Sequence, residues 1–137
     1  MTENTDPTAK RPVDVVNAMY AAANRGDMAG VTDAYAEDVV IEEAASLPFG
    51  GVYHGHDGFK AFIDAFTGSW EHFSNADLQV LDAGDTVIGL SRLQARSKRG
   101  VDVDVPLAEF FRVKDGRIVE LKPFYFDGEA ITRAIRG

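Results

Sequence analysis

Two glutamates fall where alternating strands should present core residues. In Val39-Val40-Ile41-Glu42-Glu43 a period of two puts Glu43 on the face of Val39 and Ile41. Between Val101 and Val113 the same period puts Glu109 on the face of Val103, Val105, Leu107, Phe111 and Val113. A carboxylate carried into an apolar interior neutralises, pairs or serves a function, because desolvation penalises its charged form. Two such groups converging on one interior point to a pocket. A carboxyl whose pKa is driven from about 4.3 toward neutrality there is suited to moving protons. The other reading of each residue is a strand end or bulge that returns the acid to water.

Other chemistry-bearing patterns are thinner. His54 and His56 have a spacing that fits metal ligation, but they lie in a glycine-rich loop without an evident third ligand, so a solvated or capping role is expected and no metal is assigned. Glycines 50, 51, 55 and 58 follow no parallel strand and meet no P-loop lysine, so turn chemistry accounts for them. Tyr125 shares a strand face with Val119, Leu121 and Pro123, which directs its hydroxyl toward the same interior as the glutamates.

The elements that must position these groups are readable from period and capping. Pro12 opens a helix whose apolar positions Val13, Val16, Met19, Tyr20 and Ala23 recur at three and four, ending at Asn24-Arg25-Gly26. Asp27 caps a short second helix with Met28, Val31, Ala34 and Tyr35 on its inner stripe, leading into the strand at Val39. After a Leu47–Gly51 loop, Asp57 caps a third helix carrying Phe59, Phe62, Ile63, Phe66 and Trp70. From Ala76 the period is two. Strands reach the turn at Ala83-Gly84-Asp85, then run over Thr86–Arg96, Val101–Val113 and Ile118–Phe126, the last pair joined by a type I′ signal at Asp115-Gly116. Asp127 caps a closing helix with Ile131 and Ile135. Helices first and a long meander after imply an α+β fold, the helices covering the concave face of a strongly bent antiparallel sheet.

The 137 residues, 45% of them hydrophobic, fit one domain over residues 13–137, preceded by a flexible arm over residues 1–12. A net charge of −8 lacks the basic patch that nucleic acid or an anionic membrane would require. Without cysteine there is no disulfide, thiol nucleophile or thiolate metal site. The polar N-terminal stretch and the absence of any membrane-length apolar run lead to the expectation of a cytoplasmic protein.

Four segments resemble the nuclear transport factor 2-like superfamily, in particular its SnoaL-like and ketosteroid-isomerase-like members. They are Asn24–Asp27, Ala34–Val39, the Gly51–Gly55 approach to the third helix, and Glu109–Glu120. The resemblance covers residues 13–136 and implies a cone-shaped α+β barrel. It places Glu43 where ketosteroid isomerases carry a general-base aspartate, and Glu109 where they carry a protonated aspartate that donates to the developing enolate oxygen. The family's oxyanion tyrosine falls at Met19, which cannot donate, and Tyr20 faces roughly 100° away on the helix. Tyr125, and next Tyr35, are the candidate replacement hydroxyls. The limonene-epoxide-hydrolase pattern needs an Arg-x-Asp pair and an aspartate before the closing Tyr-Phe-Asp, where this chain has Arg92-Leu93-Gln94 and Phe124; the SnoaL-type cyclase aspartate also falls at Phe124.

Together these readings predict an enzyme of ketosteroid-isomerase type that needs no cofactor and acts on a small hydrophobic carbonyl compound. Glu43 takes the proton and Glu109 donates to the enolate. Met19, Tyr35, Phe62, Phe66, Val105, Leu107, Phe111, Leu121 and Pro123 form the walls. The rivals are a non-catalytic binder of a hydrophobic small molecule and a hydrolase or cyclase in which Glu43 activates water. Phe110, Phe124 and Phe126 lie on the opposite sheet face, and a patch of this kind predicts a homodimer.

Overall fold

The computed structural model describes residues 10–137. Helix α1 (Pro12–Asn24) begins at a proline, whose missing N–H is no loss in a first turn, and α2 (Met28–Asp33) is capped by Asp27, whose carboxylate accepts from the Gly30 N–H. Then follow β1 (Tyr35–Glu43), β2 (Gly51–His54), α3 (Gly55–Thr67), β3 (Trp70–Ala83), β4 (Thr86–Ser97), β5 (Asp102–Lys114), β6 (Arg117–Tyr125) and α4 (Gly128–Arg136). Residues 1–9 of the expected arm lie outside the described residues, and Pro12 already belongs to α1.

One six-stranded sheet runs in the order β2-β1-β6-β5-β4-β3. The meander β3 to β6 is antiparallel, β1 joins it through a parallel pairing with β6, and the sheet curves without closing. Helices α1 to α3 pack on one side. Val16, Met19, Phe59 and Phe62 meet Val39, Ile41, Phe111 and Leu121 there in the main core. A second cluster of Leu47, Phe49, Trp70, Leu93, Val105 and Ile131 lies beneath α4.

Several expected element limits are corrected. Residues 51–54 form a strand, pairing Glu43 with Gly51 through Val40 with His54. Tyr35 starts β1 instead of ending α2, and Met28 is exposed, so the inner stripe of α2 reduces to Val31. Helix α3 starts two residues before Asp57, with His54 at the N-cap. Trp70 is not on that helix; it opens β3, still buried, because the chain turns at Gly68-Ser69 and brings the indole back against Phe66. Along β6 the ladder shifts register between Arg112 and Val113, so Ile118 and then Leu121 face inward and Val119 does not share their full burial.

Candidate functional site

Strand register brings the two glutamates into one row. Glu109 on β5 pairs with Pro123 on β6, and the β1–β6 register Ile41 with Leu121, continued by two residues, sets Glu43 on the other side of Pro123. The two backbones are therefore two strand spacings apart, roughly 10 Å, with both side chains on the concave face. On the far side of Glu109 the row continues through Gly89 of β4 to Val80 of β3.

Glu43 is 2% exposed. The Tyr125 hydroxyl donates to its Oε2 at 3.3 Å, while Oε1 meets no hydrogen-bonding group among the described residues. Burial pushes its carboxyl up to about 8; the Tyr125 hydrogen bond works against that rise, and the neighbouring charge of Glu109 adds to it. Glu109 is likewise raised by burial, opposed by a hydrogen bond from Tyr20. The Tyr20 hydroxyl donates to Glu109 Oε1 at 2.7 Å. Burial, and after it the charge of Glu109, keeps the Tyr20 hydroxyl protonated.

The expectation that Tyr20 faces away from the glutamates is thus corrected. Met19 is 5% exposed and packs in the core, and the adjacent Tyr20 is the side chain whose hydroxyl reaches Glu109. The sequence held a signal for this, since Val13, Val16 and Tyr20 share one helical face. Tyr125 lies on Glu43, not on Glu109. Tyr35 stacks on Phe59 with ring centroids 4.4 Å apart, and the charge of Glu109 reaches its buried hydroxyl.

The expected wall residues divide. Phe111 has no accessible surface and meets the Tyr20 ring edge-on at 5.7 Å, so it supports Tyr20 from behind. Val105 belongs to the cluster under α4, and Leu121 is fully packed. Phe62 and Phe66, with Tyr53 and Phe49, form an aromatic group along α3 and β2, and Leu107 and Pro123 are buried on the floor beside the glutamates. Tyr20, Phe66 and Glu109 face inward yet keep partial accessibility. A cleft of about 640 Å³ between the β1–β2 connection and α4 reaches Pro123 and Tyr125 from outside. Of the loop histidines, His56 places Nε2 2.8 Å from the Tyr35 carbonyl oxygen, a contact that ties α3 to the start of β1. Arg92 lies on the outer face, paired with Asp104 at 2.7 Å.

The row can therefore present one buried acid with an unsatisfied oxygen and, two strands away, a hydroxyl–carboxyl pair. Known proteins share this architecture. An uncharacterized protein of Mycobacterium tuberculosis, Rv0034, is 32% identical over 132 residues, covering 95% of each chain. The crystal structure of a nuclear transport factor 2-like protein from Burkholderia thailandensis superposes with a TM-score of 0.85 at 28% identity, covering 93% of this chain and 99% of that one. A structure from Xanthomonas campestris described as a candidate polyketide cyclase gives 0.74 at 26% identity, over 88% and 94%. With the SnoaL-like domain model matching residues 16–121, the chain belongs to the SnoaL-like family of the nuclear transport factor 2-like fold.

Proposed function

We propose that this protein is a cofactor-independent enzyme of ketosteroid-isomerase type, moving a proton alpha to the carbonyl of a small hydrophobic substrate. The observation that carries the reading is Glu43: buried, one oxygen without a partner among the described residues, and with its pKa raised to about 8. A base of that strength is far better matched to a carbon acid than an ordinary glutamate. In the reaction Glu43 Oε1 takes the alpha proton and returns it at another carbon. The electrons left behind move onto the carbonyl oxygen. There Glu109, whose protonated form burial favours, donates its proton in a hydrogen bond while its other oxygen accepts from Tyr20. Phe66, Leu107 and Pro123 supply apolar contact and exclude water. The partial accessibility of Tyr20, Phe66 and Glu109 supports a hydrophobic pocket at this place.

The test is solvent deuterium exchange into a panel of enones and β,γ-unsaturated ketones. Wild type is expected to exchange at least one of them, and Glu43→Gln to lose that exchange. Exchange that survives Glu43→Gln removes Glu43 as the base. No exchange with any compound leaves the non-catalytic binder as the better reading. The likeness to a candidate polyketide cyclase favours one variant of the scheme, in which the same enolate attacks a second carbonyl of its own chain. A cyclised product would identify it. The exposed phenylalanines of the outer sheet face support a homodimer.

A further inference from the structure

We infer that Gly89 is a positioning residue whose missing side chain allows the Tyr20 hydroxyl to seat on Glu109. The inference rests on reading the Tyr20–Glu109 pair as the electrophilic end of the site. Gly89 stands directly opposite Glu109 in the β4–β5 ladder, on the concave face. A Cβ built there falls 2.1 Å from the Tyr20 hydroxyl oxygen, 3.0 Å from Cζ and 3.3 Å from Cε2. The first distance is far inside any real contact, and the clash is concentrated on the one atom that reaches Glu109 at 2.7 Å.

Strand glycines often serve a bulge or a left-handed backbone, and Gly89 serves neither. The ladder with β5 is unbroken from Thr86–Arg112 to Arg96–Asp102; on the other side Gly89 pairs regularly with Val80, the irregularity of that ladder lying between Ala76 and Gln79 on β3; and Gly89 is not among the positive-φ residues. What it supplies is space. The Tyr20 ring has little room to retreat, because Phe111 meets it edge-on with no accessible surface of its own and the neighbouring Val16 and Met19 are locked in the core. A methyl at position 89 must therefore push the hydroxyl off the carboxyl.

The experiment follows the Glu109 carboxyl by carbon NMR in protein labelled at glutamate Cδ, with Glu109→Gln to assign the signal. Gly89→Ala, Tyr20→Phe and the double variant are compared with wild type. A hydrogen bond from Tyr20 favours the charged carboxylate, so Gly89→Ala is expected to move the Glu109 titration to higher pH, as Tyr20→Phe does, and the double variant to move it no further. Deuterium exchange should fall about 10²-fold in each single variant without multiplying in the double. Tyr20→Phe removes the clashing oxygen, so the double variant should also fold at least as well as Gly89→Ala alone. A Glu109 titration unchanged in Gly89→Ala, shifts that add in the double variant, or a double variant that folds worse than Gly89→Ala would each overturn the inference. Absence of exchange in wild type would instead count against the enzymatic reading, while the titration still decides the role of Gly89.

Discussion

Glu43 turns local burial into a pH dependence that can be followed without knowing the substrate. Its carboxyl is held at about 8 against an ordinary 4.5, chiefly by desolvation. Below about 4.5 both folded and unfolded chains are protonated there. Between that value and about 8 the folded chain keeps a proton that the unfolded chain has lost, so unfolding releases it and stability falls as pH rises; above about 8 the full cost is present. At about 1.4 kcal/mol per pKa unit, the contribution is on the order of a few kcal/mol. Glu43→Gln is therefore expected to match wild type near pH 5 and to be the more stable protein at pH 9. Urea midpoints across that range check it, and a wild-type curve with no excess fall between them would contradict the burial argument. The same ionisation sets the rate: kcat/KM should climb as pH passes about 8, because only deprotonated Glu43 is a base, and fall again once Glu109 ionises and can no longer donate to the enolate oxygen. The inward placement of Glu43 and Glu109 was legible from alternation alone. The Tyr20 contact was legible only in part: Val13, Val16 and Tyr20 share one helical face, but the rotation of α1 over the sheet, which decides whether that face meets Glu109, is set by packing partners far along the chain.

At the scale of elements, caps and hairpin signals gave β4, β5, β6 and α4 close to their observed limits, since Asp115-Gly116 and Asp127 act locally. The failures lie where tertiary pairing overrides a local pattern. Tyr35 looked helical until Ile118 offered a ladder partner, residues 51–54 became a strand by pairing with the end of β1, and Trp70 kept the spacing of α3 while belonging to β3. The second cluster makes α4 more than a terminal appendage. Its N-terminus is fixed by the Asp127 carboxylate accepting from the Ala130 N–H at 3.0 Å, and its inner face buries Ile131 and Ala134 against Leu47, Phe49 and Trp70. Ile131→Ala should cost about 2–5 kcal/mol, the range for removing a large aliphatic side chain from a packed core. Denaturant unfolding would measure it. A loss below about 1 kcal/mol would mean that α4 detaches before the sheet unfolds.

For the molecule as a whole, charge and exposed surface point in different directions, and their balance predicts its assembly. A net charge of −8 keeps copies apart in general. The outer face of the sheet is a local exception, because four ion pairs cross its strands: Arg92 with Asp104, Arg96 with Asp102, Arg112 with Glu120 and Lys122 with Glu42. Such exposed pairs add little stability, but they leave the face nearly neutral around its aromatic residues. Phe110 and Phe124 stack edge-on at 5.3 Å, and Phe126 beside them is 85% exposed. A phenylalanine in that state loses free energy of water contact on burial, at about 25 cal/mol per Å² of apolar area, and a two-fold axis would bury the patch of both copies at once. The expected outcome is that wild type sediments at twice the mass of one chain and that Phe124→Asp, which places a like charge opposite its own copy, sediments as single chains. The carboxyl titration of Glu43 should stay unchanged in that variant, because Phe124 points away from the concave face. Dimers that persist in Phe124→Asp would move the contact to another surface, and single chains in wild type at high concentration would remove the homodimer altogether.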